Sequence, residues 1–226
     1  VPKLYGYRPY LHMIDGVIAV SKMVAQDATS IIQKPILVVY PFANVNYYSI
    51  VKPNLESKNI VFLGRITFEK GIDILVKAFK ILKREVPGSR LFILSEGPLR
   101  RWVLKQKLDG LYAPGYVDDP RKYFSLCSIY IQPSRYDPFP IAVLEAMSSG
   151  LIPIVSEHTG TREILPQDLI VKLDPEDLAS KILDVLSMPL HYKLELSKEM
   201  RKIALKFKVH QSIERFRKAC HEILSV

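Results

Sequence analysis

The chain has 226 residues, 48% hydrophobic and 24% charged, with a net charge of +9. That length suits one large α/β domain or one and a half small ones. No apolar run approaches the roughly 20 residues that a membrane-spanning helix needs, and Val1-Pro2-Lys3-Leu4-Tyr5 carries no signal-peptide pattern, so nothing marks the chain for export. The missing initiator Met is expected of a processed or trimmed chain. Strand-like and helical patterns then alternate. Asp15-Gly16-Val17-Ile18-Ala19-Val20-Ser21 reads as a strand and a helix cap, and Ile36-Leu37-Val38-Val39-Tyr40 as a second strand. Pro41 to Ser57 has no periodicity and reads as a polar hinge. Ile60-Val61-Phe62-Leu63 reads as a strand, and Ile72, Leu75, Val76, Phe79 and Leu82 follow at helical spacing.

Further on come a strand at Leu91–Leu94, a helix from about Leu99 to Leu108, and a short apolar piece around Tyr116 and Val117. A short helix near Lys122–Leu126, strand Ile129–Ile131, helix Ile141–Ser149, and strands Ile152–Val155 and Leu169–Lys172 complete the alternation. Asp174-Pro175 opens a last patterned helix, with Asp as N-cap and Pro in the first position. Such alternation implies an α/β fold: a parallel sheet covered by helices on both faces, with ligands bound beyond the carboxyl ends of its strands.

Cys127 and Cys220 are far apart and share no metal-ligand spacing with a His. They read as reduced apolar filler, which fits a cytoplasmic protein. No Asp-x-Asp or His cluster suggests a metal. From Leu190 to Val226 nine Lys or Arg outnumber four Asp or Glu, giving 9 − 4 = +5. That basic stretch suits a solvated helix face, an anionic membrane surface or a phosphorylated substrate. Aromatic residues are not interleaved with it as a stacking platform requires, so nucleic acid is the weakest partner.

Four loops fall at the carboxyl edge. In Gly64-Arg65-Ile66-Thr67-Phe68-Glu69-Lys70-Gly71, Gly64 permits close approach of a ligand, and Arg65 and Lys70 place two cations. Alone, the loop also reads as a glycine turn with solvated charges. Glu96-Gly97-Pro98 is a turn that opens a helix. Gly115-Tyr116-Val117 is either a strand entry or a backbone surface for a planar base. Asp137 and Glu145 stand eight residues apart, the first in a loop after a strand and the second about one turn into the next helix. Free N–H groups at that helix start attract phosphate and sugar oxygens, and the carboxylates accept hydroxyl hydrogen bonds. An anion site flanked by hydroxyl acceptors suits a sugar attached to a nucleoside diphosphate.

In order from Asn59, these pieces resemble the donor-binding domain of retaining glycosyltransferases of the GT-B fold, the group of glycogen synthases, sucrose synthases and mannosyltransferases. The resemblance extends to Pro133-Ser134, Glu145-Ala146-Met147-Ser148-Ser149-Gly150, Ile152-Pro153-Ile154-Val155 and Gly160-Thr161-Arg162-Glu163-Ile164. It implies a Rossmann-like donor domain over 58–226, preceded by a remnant of an acceptor-side domain and hinge over 1–57. It implies that Arg65 and Lys70 neutralise the diphosphate, that Glu145 accepts from ribose hydroxyls, and that Asp137 contacts the transferred sugar. Gly64 and Gly97 belong to the donor-binding loops. Backbone around Phe139, Pro140 and Ile141 would meet sugar and phosphate, and Gly115, Tyr116 and Val117 would flank the base. Transfer with retention from a UDP-, GDP- or ADP-linked sugar, without a metal or other cofactor, follows from the resemblance. So do a carbohydrate or lipid-linked acceptor, a second subunit or copy, and peripheral contact with the inner membrane face.

Two departures stand out. Asp137 takes the place of a more usual Glu, one methylene longer. Pro138 and Pro140 stand where Gly is common, and Pro140 offers no N–H. The carboxylate pair is not expected to act as acid and nucleophile of a hydrolase, since a loop and a helix do not by themselves oppose two carboxylates. His12 and His158 are the nearest candidate histidines, and neither matches a family position.

Overall fold

A computed structural model describes residues 10–225; the N-terminal stretch Val1–Tyr5 lies outside them. Strand β1 (Val17–Ala19), helix α1 (Lys22–Thr29), strand β2 (Ile36–Val38) and helix α2 (Val45–Ser49) come first. The main body runs β3 (Asn59–Leu63), α3 (Ile72–Glu85), β4 (Arg90–Leu94), α4 (Arg100–Lys105), β5 (Leu111–Gly115), α5 (Arg121–Phe124) and β6 (Ile129–Gln132). It continues with α6 (Ile141–Ser148), β7 (Ile152–Ser156), β8 (Ile170–Val171), α7 (Pro175–Ser187), α8 (Leu190–Ala204) and α9 (Val209–Leu224).

The larger sheet is parallel, in the order β5-β4-β3-β6-β7-β8, and β1 and β2 form a separate parallel pair. Every residue of β6 and β7 is buried, because helices cover both faces: α3 packs against α7, and α6 against α8 and α2. Their unbroken apolar runs are what a two-sided burial demands. The chain reverses its direction of winding between β3 and β6, and the ligand crevice of such a sheet lies at that switch point, at the carboxyl edge.

Three local readings change. The segment 41–57 holds α2, and Ala43, Val45, Tyr48 and Val51 are buried in the main core. Five helical residues are too few to show a period, and tertiary burial holds them. The strand expected around Tyr116 and Val117 lies instead at Leu111–Gly115, with Tyr116 and Val117 just beyond its end. Its Pro114 lowers strand propensity, yet β5 is an edge strand where a missing N–H is tolerated.

The third change is that some cations of the basic C-terminal stretch are internal. The Arg201 guanidinium donates to the carbonyls of Ser49 (2.9 Å), Val51 (2.6 Å), Ser148 (2.6 Å) and Ser149 (2.7 Å). It thereby closes the C-terminal ends of α2 and α6, where free carbonyls and the helix dipole favour a cation. Buried Lys193 does the same for α7 through the Leu186 carbonyl (2.7 Å). Burial lowers the pKa of both side chains. Other residues of that stretch, including Arg217, Lys218, Ile213 and Phe216, are exposed. Neither cysteine is in a disulfide, and burial pushes the Cys127 thiol far up.

Candidate functional site

The loop after β3 and the loop after β6 meet across the crevice. The Lys70 ammonium lies 2.5 Å from Asp137 Oδ2, and Asp137 is only 6% exposed. Gly71 begins α3 with φ +69, and a Cβ there would fall 1.8 Å from the Pro133 carbonyl oxygen. Only glycine lets this helix start lie against the β6 loop. Arg65 leaves the end of β3 exposed, while its neighbour Ile66 is fully buried and locked to the next loop: Ile66 N–H donates to Glu96 O and Leu99 N–H to Ile66 O, both at 3.0 Å. Gly97 stacks on that backbone, its hypothetical Cβ 2.5 Å from Ile66 O.

Asp137 is held from every side. Its N–H donates to the His158 carbonyl (3.1 Å) and its carbonyl accepts from Gly160 (2.9 Å). Below it, the Tyr130 hydroxyl donates to Gln132 Oε1 (2.6 Å), and Gln132 Nε2 donates to Ser134 Oγ (2.8 Å) and, weakly, to Asp137 Oδ2 (3.4 Å). This buried polar chain fixes the carboxylate, since an unpaired member would be costly. The backbone of His158 thus supports Asp137 while its ring is exposed; exposed His12 lies in a short turn before β1.

Glu145 sits on the second turn of α6, half-buried. Burial raises its carboxyl pKa, against a lowering contribution from Tyr48. Burial raises Tyr48 in turn, reinforced by the adjacent Glu145 carboxylate. Pro140 is the N-cap of α6 in extended conformation, and Ile141 opens the helix at the same loop. Val143 N–H donates to the Pro140 carbonyl (3.1 Å), which leaves the N–H groups of Ile141 and Ala142 as the free donors expected at a helix start. The Phe139 ring belongs to the core, packed on Tyr40 and Phe207 at 5.2 and 6.0 Å.

On the β4–β5 side, Ser95 N–H donates to Gly115 O (2.9 Å). Gly115 is buried with φ +98, Val117 is half-buried and Tyr116 is 74% exposed. The structure therefore brings Lys70 and Asp137 into contact and sets Gly64, Arg65, Gly97, Gly115, Tyr116, Phe139, Pro140 and Ile141 along the same carboxyl edge. Glu145 lies one helix turn behind. Among the described residues, no group of three His, Cys, Asp or Glu is placed to hold a metal ion, and no helix is long and apolar enough to cross a membrane.

The roles of two residues escaped the sequence reading. Glu163 accepts from the N–H groups of Lys22 (2.9 Å) and Met23 (2.7 Å) and from the Tyr40 hydroxyl (3.0 Å), so it caps α1 from across the molecule. With Tyr136 donating to Asp27 (2.9 Å), it ties the β1–α1–β2 unit to the mouth of the crevice. Gln132 carries no local signature at all.

A family model, "Glycosyl transferases group 1", matches residues 57–188. The chain belongs to the group 1 glycosyltransferase family. It is 29% identical over 202 residues to an uncharacterized glycosyltransferase of Methanocaldococcus jannaschii, covering 76% of this chain and 50% of that protein. It is also 29% identical over 163 residues to one subunit of the phosphatidylinositol N-acetylglucosaminyltransferase of Arabidopsis thaliana, covering 68% of this chain and 36% of that one. The chain thus spans half or less of the length of these relatives. Among solved structures, sucrose-phosphate synthase from Thermosynechococcus elongatus superposes with a TM-score of 0.79 at 21% identity, over 93% of this chain and 59% of that one. A variant of S. aureus TarM, in complex with fondaparinux, alpha-GlcNAc-glycerol and UDP, gives 0.79 at 18% identity, over 92% and 44%. The chain therefore shares its fold with the matching part of these GT-B proteins, and the family-matched segment 57–188 includes Arg65, Lys70, Asp137 and Glu145.

Proposed function

We propose that this chain is the donor-binding part of a retaining glycosyltransferase, which moves a hexose from a UDP-, GDP- or ADP-linked sugar to an acceptor hydroxyl without requiring a metal. The observation that carries the reading is the contact of Lys70 with the buried Asp137 at the winding reversal of the sheet, with Arg65 on the same edge. An ammonium has three donors, so Lys70 can keep Asp137 and still meet a phosphate oxygen. Arg65 adds a bidentate grip. Glu145 takes the ribose hydroxyls, Asp137 those of the transferred sugar, and the open N–H groups of α6 the phosphate. Gly97 lets its loop lie against the Ile66 backbone beside Arg65, and Gly115, Tyr116 and Val117 flank the base.

In the reaction the acceptor oxygen bonds to the anomeric carbon on the face that the nucleotide leaves. The bond from that carbon to the diphosphate breaks, its electron pair stays on the phosphate oxygen, and that oxygen takes the acceptor's proton. Arg65 and Lys70 stabilise the charge developing on the leaving diphosphate, commonly the largest contribution to such a rate. Asp137, shorter than Glu, is the residue that sets which sugar fits.

The acceptor side comes from chain beyond the donor unit or from another polypeptide; the half-length match to the relatives supports this reading. If that side is lacking, the same site makes a nucleotide-sugar-binding module without turnover. Thermal-shift measurements with UDP, GDP, ADP and their sugars test the donor site; stabilisation by at least one is expected, and none by any would sink the reading. Release of free nucleotide on adding a carbohydrate or lipid-linked acceptor separates enzyme from binder. Peripheral membrane contact through the exposed cations of α9 is tested by liposome flotation with anionic vesicles, with Arg217 and Lys218 exchanged for Gln as the control.

A further inference from the structure

The donor-site reading leaves unexplained an ion pair at its centre. Arg135 lies between the buried Ser134 and the loop residue Tyr136, two positions before Asp137. Its guanidinium nitrogens donate to both oxygens of Asp73, at 2.7 and 2.8 Å. Nη1 also donates to the Phe68 carbonyl at 2.5 Å, and the guanidinium lies 3.5 Å from the centre of the Phe68 ring. The Arg135 N–H donates to the Glu69 carbonyl at 2.8 Å. All of these contacts fall on residues 68–73, the segment that carries Lys70.

The geometry points to Arg135 as a positioning residue: gripping Phe68, Glu69 and Asp73 from the β6–α6 loop, it fixes where Lys70 meets the donor's diphosphate. The inference rests on the donor-site reading above. Three of the five N–H donors of Arg135 are spent on Asp73 and the Phe68 carbonyl, so what the guanidinium chiefly holds is this segment. A planar fork with a stacked aromatic sets direction as well as distance, which an ammonium on a flexible stem cannot do. Burial pushes the Asp73 carboxyl up, but the hydrogen bonds and charge of Arg135 outweigh it and hold the group below the usual carboxylate range. The latch therefore stays charged at neutral pH. Half-buried ion pairs are in general weak sources of stability, so its principal effect falls on geometry.

Calorimetry with whichever of UDP, GDP or ADP the wild type binds best, and ligand-observed NMR with the matching nucleoside, test this. Arg135→Met and Asp73→Asn are each expected to weaken the diphosphate about tenfold, the scale of one charge-assisted contact. Arg135→Lys, which keeps the charge but not the fork, should fall between. Nucleoside affinity should stay unchanged, and Arg135→Met should add nothing in a Lys70→Ala background, since coupled residues are not additive. Unchanged diphosphate affinity in a folded Asp73→Asn variant, an equal loss for the nucleoside, or an additive double variant overturns the inference. If Arg135→Met does not fold, Asp73→Asn and Arg135→Lys carry the test. A wild type that binds none of the three diphosphates defeats the donor-site reading itself, an outcome distinct from a wild type that binds and variants that bind equally well.

Discussion

Between β3 and β6, Lys70 is paired with Asp137 and Arg135 with Asp73, and a buried chain of hydrogen bonds runs beneath them. Beyond β4 and β5, Tyr116 stands 74% exposed and the exposed Glu96 carboxylate faces Arg100 at 3.7 Å. The two halves of one sheet edge thus differ in how far their polar groups are fixed before any ligand arrives. Charges held in place cost no reorganisation when a charged group docks. An open aromatic surface tolerates variation. A diphosphate is the constant part of every nucleotide sugar and a base the variable part, so the fixed half suits the first and the loose half the second.

The contrast breaks most severely at Gly71. A side chain there would meet the Pro133 carbonyl and would have to adopt φ +69, so Gly71→Ala should cost about 3 kcal/mol or more. Urea unfolding followed by circular dichroism measures it, with Gly88→Ala as control, since a Cβ at Gly88 meets nothing within 4 Å. If both variants unfold at the wild-type midpoint, the close approach of the two loops is not a constraint.

At the level of ligand rather than fold, Lys70→Ala and Glu145→Ala should each abolish transfer and weaken the diphosphate or its sugar by about a hundredfold, while leaving the circular dichroism spectrum unchanged. Retention of full activity by both would show the site to be misplaced.

How much of this contrast could be read from the chain depends on how local its cause is. The β/α alternation, the cations at Arg65 and Lys70 and the Asp137–Glu145 spacing are visible because each is set within a few residues by burial period, turn chemistry or helix start. Arg135 with Asp73, Arg201 with four carbonyls and Glu163 with the start of α1 join residues 62, 52 or more, and 140 or more positions apart. No periodicity records such pairs. Arg201 in particular is indistinguishable in sequence from its solvated neighbours in a basic stretch. Helix α2 is hidden for the opposite reason: Val45 and Tyr48 are apolar at helical spacing, but one turn is too short to stand out.

A smaller effect separates charge from fit at Glu145. Burial raises this carboxyl above its unfolded value, so the folded state holds its proton more tightly than the unfolded chain does. The stabilisation from that proton is complete below the unfolded pKa, near about 4.3, and is lost as pH rises through the folded pKa. Above the folded pKa the ionised, half-buried Glu145 therefore costs stability, and Glu145→Gln should raise the melting temperature on that side. The gain should vanish toward about pH 4, where wild type and variant carry the same charge. The same variant should bind the donor less well. A melting temperature that falls on that side would mean that Glu145 is stabilised by partners the burial argument omits.

The least effect is expected on the loose half. Tyr116→Ala removes a ring that is 74% exposed, so stability should move by less than about 0.5 kcal/mol. If the base lies on the backbone of Gly115 and Tyr116, diphosphate affinity should fall no more than about threefold, because the surviving contact is to the main chain. If the ring itself stacks on the base, the loss should be larger, on the order of 1–3 kcal/mol, and similar for UDP, GDP and ADP, since every base has a π face. Calorimetry on the three diphosphates distinguishes the two. A small loss for all three leaves base recognition with the main chain and keeps the two halves of the edge distinct. A large uniform loss would make Tyr116 as decisive as Lys70 and erase the difference between them.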